Sequence, residues 1–210
     1  MHRPLGSALI GLFASGTLAG TITPGIPEGD FAGATVEKFQ ESYVFVNNYS
    51  WASGLSYNTL TNNANHVNYT GGYGMGFAPG INAGKDGDGY FGTGPTPETF
   101  EFVFPTPSEY VGWYGAESDV TEPGGRDANW NISFYDGNNN LIATIDDATP
   151  NNIHAWDQFH GYRGSDPIAR VVFNNAGHMV VDDIRWSRVP TPASASLLGL
   201  AALTGMRRRR

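Results

Sequence analysis

Three runs in which apolar and polar residues alternate constrain the fold more than any other feature of the chain. The apolar residues that share a face are Phe100, Phe102 and Phe104 in the first run, Trp130, Ile132 and Phe134 in the second, and Val180, Ile184 and Trp186 in the third. Successive side chains of a β-strand point to opposite faces, whereas the faces of a helix repeat every three to four residues. The alternation therefore predicts strands that bury one face.

A turn separates the second run from the apolar segment that follows it. Residues 136–140 read Asp-Gly-Asn-Asn-Asn and stand between Trp130–Tyr135 and Leu141–Ile145. Gly and Asn adopt the positive φ angles that tight hairpins need, and an Asp side chain hydrogen-bonds to the backbone of its own turn. We therefore predict an antiparallel hairpin here.

The rest of the chain also consists of short strand patterns and turns. Further strands are predicted at Val36–Val46, Tyr110–Tyr114 and Ala169–Phe173, and the chain contains 28 Gly and 13 Pro residues that separate nearly all of them. Because Ser50–Gly94 is rich in Asn and Gly, long loops with one or two short strands are expected there. Short strands with frequent turns favour an all-β fold, an antiparallel β-sandwich of the jelly-roll type over residues 20–188.

The region between the two ends is strongly acidic. Five of the 12 Lys and Arg residues lie in the ends, as Arg3 and Arg207–Arg210, which leaves seven against 20 Asp and Glu residues. A surface this acidic repels phosphate backbones, so no nucleic-acid partner is expected and divalent cations are favoured instead. The chain has no Cys, which excludes disulfides and thiolate metal sites.

The first 19 residues have the pattern of an export signal. An apolar stretch, Leu5–Ala19, follows a basic residue, and Thr17 and Ala19 place small side chains where signal peptidase requires them. We expect signal peptidase to cleave before Gly20 and to remove residues 1–19. The alternative is a buried N-terminal helix, which the short length and three Gly residues disfavour.

Residues 189–210 have the pattern of a second processing segment. Residues 189–194 read Val-Pro-Thr-Pro-Ala-Ser, an apolar run over Ala195–Met206 follows, and Arg207–Arg210 come last. This order of Pro-x-Pro motif, apolar helix and basic cluster resembles the PEP-CTERM sorting signal, with Thr191 where that family usually has Glu. An ordinary disordered tail is the alternative.

The resemblance implies processing by an exosortase, a membrane enzyme found with exopolysaccharide systems in Gram-negative bacteria. The tail would contact the membrane before cleavage, with its arginines on the cytoplasmic side. The apolar segment is short, because residues 193–206 span only about 21 Å as a helix against a hydrocarbon core of about 30 Å. The residues implicated in sorting are Val189, Pro190, Thr191, Pro192, Arg207, Arg208, Arg209 and Arg210.

The region between the two ends carries a second resemblance. The segments that carry it are Gly112–Gly115, Ser133–Gly137, Arg170–Phe173 and Val181–Ile184. Their order is similar to that of strand motifs in exosortase-dependent surface proteins and in jelly-roll carbohydrate-binding modules. It implies a surface protein that associates with exopolysaccharide, or a carbohydrate-binding module.

Asp182 lies in the third alternating run, on the side that the pattern assigns to the core. Because a buried carboxylate needs a partner or a pKa shift, either a β-bulge turns Asp182 outward or it meets a cation. Arg170, Arg126 and calcium are the candidate cations. The resemblance to carbohydrate-binding modules implies a structural Ca²⁺ held between the last strand and the start of the domain. Its candidate ligands are Asp182, Asp183, Glu28, Asp30 and Glu37.

Two loop patterns are typical of ligand contacts. Residues 86–89 read Asp-Gly-Asp-Gly, as at the start of a calcium loop, but the later ligands of an EF-hand are missing, so a Gly-rich turn is favoured. Tyr73, Tyr90 and Trp156 lie among Gly and Asn, where their rings could stack on a glycan. Packing of these rings in the core or at its rim is the alternative.

Catalytic motifs are missing from the sequence. His154, Asp157 and His160 lie close to Ser165 and Asp166, but there is no Gly-x-Ser-x-Gly elbow, no His-Glu-x-x-His and no phosphate-binding Gly loop. We therefore predict a non-catalytic exported protein of the cell surface or extracellular matrix. A carbohydrate-binding module is the first alternative, and a secreted glycoside-active enzyme is the second.

Overall fold

The computed structural model describes much of the predicted domain, and the described residues are 20–40, 44–61, 65–69, 85, 90–92, 98–117, 129–148, 158–176 and 179–188. Within these ranges the helical content is a single 3₁₀ turn at Glu28–Phe31. The strands are β1 (Ile22–Pro24), β2 (Thr35–Glu37), β3 (Val44–Val46), β4 (Asn48–Ser50), β5 (Ser56–Thr59), β6 (Asn65–Tyr69), β7 (Tyr90–Gly92), β8 (Glu98–Glu117), β9 (Asn129–Tyr135), β10 (Leu141–Ala148), β11 (Phe159–Ala176) and β12 (Met179–Arg188).

The described strands pair only in antiparallel fashion, which confirms the predicted all-β, sandwich-like class. They form one open sheet in the order β10-β9-β11-β8-β12-β7-β6-β3. The remaining strands join its sides: β1 pairs with β11, β2 with β12, β5 with β8, and β4 with β5.

The two longest strands, β8 and β11, run through both halves of this sheet. Residues 98–103 of β8 pair with residues 170–176 of β11, and residues 108–114 pair with residues 159–168. The first half-sheet also contains β4, β5, β9 and β10, and the second contains β1, β2, β7 and β12. Each long strand therefore ties the two half-sheets together covalently.

Prolines mark the place where β8 passes from one half-sheet to the other. The β8–β11 register shifts between Ile168 and Arg170, which lie opposite Ser108 and Val103, and Pro105 and Pro107 occupy that stretch of β8. Proline has no N–H to donate, so it interrupts the ladder of hydrogen bonds and allows the strands to bend.

The core lies between the half-sheets and is mainly aromatic. Ring pairs join the two halves, with centroids 4.9 Å apart for Phe134 and Tyr162 and 5.1 Å apart for Trp113 and Phe173. The first alternating run is confirmed as a half-buried strand, because Phe100, Phe102 and Phe104 are all buried. Burial of such large rings, with edge-to-face contacts between them, is a main source of stability in a domain without disulfides.

The hairpin predicted from the Asp-Gly-Asn-Asn-Asn turn is also confirmed. Its arms are β9 and β10, and the Asp136 carboxylate accepts hydrogen bonds of 2.8 Å from the backbone N–H groups of Asn138 and Asn140. Asn139 has a φ of 70°, the positive angle that Asn tolerates better than most residues.

The face predicted for the third run is wrong, because β12 contains a β-bulge. The β12–β8 register shifts between Asp182 and Arg185, and Asp183 has a φ of 49°. An extra residue reverses the in-out alternation beyond the bulge. Val181, Ile184 and Trp186 therefore share the core, and Val180 lies outside the core cluster although it is buried.

Two predictions before β8 also need correction. The strand predicted at Val36–Val46 is two strands, β2 and β3, because Phe39 breaks the extended backbone with a φ of 53° while its side chain is fully buried. Ser50–Gly94 contains three described strands of its own, β5, β6 and β7, so it has more sheet than predicted.

Gly161 of β11 lies directly against the backbone near the start of the domain. A Cβ at Gly161 would lie 2.1 Å from the carbonyl oxygen of Ile26, whereas a Cβ at Gly29 would meet nothing within 4 Å. We expect Gly161→Ala to destabilise the fold by about 1–3 kcal/mol, and Gly29→Ala to change stability by less than about 0.5 kcal/mol. Chemical denaturation of both variants checks this, and equal midpoints would contradict it.

Candidate functional site

The bulge in β12 places two adjacent carboxylates inside the protein. Asp182 is 1 % exposed and Asp183 is 2 % exposed. One oxygen of Asp182 accepts the backbone N–H of Asp183 at 2.7 Å, and the other accepts the backbone N–H of Lys85 at 2.6 Å. Hydrogen bonds from backbone N–H groups stabilise a buried carboxylate in its charged form.

Asp183 belongs to a group that we call the ionic cluster, which consists of Glu28, Lys85, Tyr114, Asp183 and Arg185. The Arg185 guanidinium bridges two carboxylates, at 2.6 Å from Glu28 and 3.0 Å from Asp183. The Lys85 ammonium lies 3.7 Å from each of the same carboxylates. Two cations therefore face two anions within the cluster, and Lys38 adds a contact of 3.9 Å to Asp183 from outside it.

Tyr114 of β8 completes the ionic cluster from the centre of the sheet. Its hydroxyl donates a hydrogen bond of 2.5 Å to Glu28, and the Lys85 ammonium lies 3.8 Å from the centre of its ring. This hydrogen bond lowers the pKa of the Glu28 carboxyl, burial opposes the change, and the charges of Arg185 and Lys85 add to the lowering. Burial and the same hydrogen bond raise the pKa of Tyr114.

The ionic cluster attaches the 3₁₀ turn to the sheet. Glu28 belongs to that turn, and Phe31 at its end is buried against Phe159, with ring centroids 5.1 Å apart. Arg185 and Tyr114 come from β12 and β8, which pair in the sheet. The start of the domain, residue 85 and the last strand thus meet at one place. The predicted calcium site requires the same convergence, but in this structure Arg185 and Lys85 bridge the carboxylates of Glu28 and Asp183.

The predicted calcium ligands occupy different environments. Glu28 and Asp183 meet in the ionic cluster, whereas Glu37 accepts hydrogen bonds from the Phe39 N–H and the Ser53 hydroxyl, and Asp30 is exposed. The described ranges contain no group of three or more His, Cys, Asp or Glu residues that could hold a metal ion. These residues as they stand do not fit a calcium cage, and calcium binding stays a prediction.

An open cleft lies between β1 and residues 163–167 of β11, a stretch of shifted register that we call the bend of β11. Its volume is about 380 Å³, and it is lined by Thr21, Thr23, Glu109, Arg163, Gly164, Ser165 and Pro167. Arg163 and Glu109 form an exposed ion pair along one wall, with a nitrogen–oxygen distance of 2.5 Å. The lining therefore presents hydroxyl groups, a charged pair and a proline ring to solvent.

The remaining sequence-predicted residues divide into two groups. Tyr90 is 1 % exposed, so its ring packs in the interior of the structure and has no open face on which a glycan could stack. His160 is also buried, at 4 %, while Ser165 and Asp166 lie on the surface. The other group lies outside the described residues and comprises Tyr73, residues 86–89, Arg126, His154, Trp156, Asp157 and the sorting residues 189–210.

Sequence reasoning missed the cations of the ionic cluster. Arg185 was a polar position in an alternating run, and Lys85 stood in a segment that was expected to form loops. The one available signal was the charge of β12 itself, since Asp182, Asp183 and Arg185 interrupt a strand that is otherwise apolar enough for a core. That pattern indicates that the charged residues of β12 need partners, but it does not identify the residues that supply them.

Comparison with known proteins yields no assignment, because no protein-family model matches the chain and no curated protein matches it significantly.

In the part of the chain that the structure describes, no helix is long and apolar enough to cross a membrane.

Asp183 combines a left-handed backbone with a buried charge, and two substitutions separate these roles. Asp183→Asn keeps a side chain that tolerates positive φ but removes the charge opposite Arg185 and Lys85, so we expect a loss of about 3 kcal/mol in unfolding free energy. Asp183→Ala should lose about 1–2 kcal/mol more, because alanine resists this backbone conformation. Urea unfolding measures both, and an Asn variant as stable as the parent would contradict the role given to the ionic cluster.

Glu28 makes the stability of the domain depend on pH. Its folded-state pKa lies below the ordinary value of 4.5. The stabilisation is therefore present above about pH 4.5 and is lost as the pH falls through the folded-state pKa. We expect the melting temperature of the parent to exceed that of Glu28→Gln at about pH 7, and the difference to shrink as the pH falls below about 4. A difference that is constant with pH would contradict this assignment.

Proposed function

We propose that this chain is an exported, non-catalytic protein of the cell surface or extracellular matrix, and that an exosortase removes its C-terminal tail. The observation that carries the proposal is the order of segments in the sequence: an export signal over residues 1–19, an all-β domain, and a Pro-x-Pro motif followed by an apolar run and Arg207–Arg210. The two flanking segments have roles in transport, and the domain is what remains in the mature protein.

The position of β12 supports this processing. β12 ends at Arg188, and Val189 begins the motif at the next residue. The strand pairs with β8 on one side and with β2 and β7 on the other, and its residues Ile184 and Trp186 belong to the core. Cleavage beyond Arg188 therefore removes no described strand, so the domain can remain folded after it loses the tail.

The environments of the buried carboxylates support a non-catalytic role. Asp182 is bound by backbone N–H groups, Asp183 by Arg185 and Lys85, and Glu101 by Arg170 at 2.6 Å. A general acid or base must be able to exchange its proton with a substrate, whereas carboxylates bound in this way hold strands and turns together.

The partner that we propose for the mature domain is matrix exopolysaccharide. The cleft supports this choice, because Thr21, Thr23 and Ser165 line it beside the Arg163–Glu109 ion pair. Hydroxyl and charged groups at a surface exchange hydrogen bonds with sugars at little loss of hydration.

Processing is tested in two otherwise identical hosts, one of which carries a functional exosortase. In that host, intact-mass analysis should find a chain that begins at Gly20 and lacks Arg207–Arg210, recovered with the extracellular matrix. In the host without the enzyme, the arginines should be retained in the membrane fraction. A matched variant, Pro190→Ala with Pro192→Ala, should retain the tail in both hosts, because the extended motif is lost.

Retention of the four arginines in the exosortase-containing host would overturn the sorting assignment. Loss of the tail without recovery in the matrix would leave the sorting assignment in place and overturn the proposed exopolysaccharide partner.

A further inference from the structure

Gly20, which would be the first residue after removal of the export signal, is packed directly against a carboxylate. A Cβ at this position would lie 2.3 Å from Oδ2 of Asp166 and 2.9 Å from both Oγ of Ser165 and Cγ2 of Ile142. These distances leave no room for a side chain unless its neighbours move. Because a Cβ lies one carbon–carbon bond from its Cα, the Gly20 Cα is within about 4 Å of the Asp166 carboxylate.

Backbone pairing holds Gly20 in this place. The N–H of Thr21 donates to Oγ of Ser165 at 2.8 Å, and the N–H of Ser165 donates to the carbonyl of Thr21 at 2.9 Å. The ladder continues into β1, where Ile22 lies opposite Gly164 of β11. The chain is therefore aligned with β11 from Thr21 onward, and Gly20 lies beside Asp166.

Signal peptidase would change the charge at this place. In the precursor, the nitrogen of Gly20 belongs to a neutral peptide bond with Ala19. Hydrolysis of that bond by water gives a carboxylate on Ala19 and an amino group on Gly20, which is largely protonated at neutral pH. The new ammonium group is one bond from the Gly20 Cα and hence within about 5 Å of Asp166, a range in which opposite charges attract.

We propose that Asp166, with Ser165, forms a binding site for the amino terminus that export processing creates. This inference rests on the proposed export of the chain. The site fixes the first residues of the mature protein to the bend of β11, and with them Thr21 and Thr23 on the wall of the cleft. Among the described residues, Arg163 and Glu109 also line the cleft beside Thr21 and Thr23, and they pair with each other.

The test uses the chain from Gly20 to Arg210, prepared with a removable leader so that its first residue is either Gly20 or one added alanine. NMR titration of the amino group should give a pKa a few tenths above the ordinary 7.7–8.0 when Gly20 is first. The pKa should return to the ordinary range in Asp166→Asn and in the alanine-extended chain. Asp146→Asn, which changes an exposed aspartate on β10, is the matched control and should leave the raised pKa unchanged.

Thermal unfolding supplies a second measurement. The chain that begins at Gly20 should melt above the alanine-extended chain at about pH 6.5, and this difference should disappear in the Asp166→Asn background. It should also disappear as the pH rises above the folded-state pKa of the amino group, because a raised pKa stabilises only the protonated form.

An amino-group pKa that is the same in the parent and in Asp166→Asn would overturn the inference and leave export untouched, since these chains are cleaved in vitro. N-terminal sequencing of protein from an exporting host tests the other premise. A first residue other than Gly20 would overturn the processing step, and with it the biological formation of this site.

Discussion

The structure depends on a single extra residue in β12. The bulge at Asp183 allows Val181 to face the core on one side of it and Ile184 and Trp186 to face the core on the other. A regular strand through the same residues would place Val181 and Ile184 on opposite faces. The bulge therefore allows a segment that contains Asp182 and Asp183 to belong to a strand that pairs on both edges.

The ionic cluster compensates the negative charge that the bulge buries. Burying Asp183 without partners would be strongly unfavourable, and Arg185 and Lys85 supply the compensating charge within 4 Å. The same two cations hold Glu28, so the charge of β12 also positions the 3₁₀ turn at the start of the domain. The cations that neutralise Asp183 inside β12 therefore also join distant parts of the chain.

The two long strands, β8 and β11, connect distant parts of the core and of the surface. Because β8 and β11 pass through both half-sheets, rings from both halves meet in one aromatic cluster. The bend of β11 that this passage requires also forms the cleft wall and brings Asp166 to Gly20. The proposed ligand surface and the proposed site for the mature amino terminus therefore share the bend of β11.

The sequence by itself determined the elements whose information is local. Alternation specified the strand at Phe100–Phe104, and Asp136 with Asn139 specified the hairpin, because side-chain spacing and turn chemistry act within a few residues. Only the tertiary structure decided the face of β12, the partners of Asp183 and the burial of Tyr90. Those depend on pairing between residues far apart in the chain, where one inserted residue reverses a face and a cation from another segment lies beside a buried carboxylate.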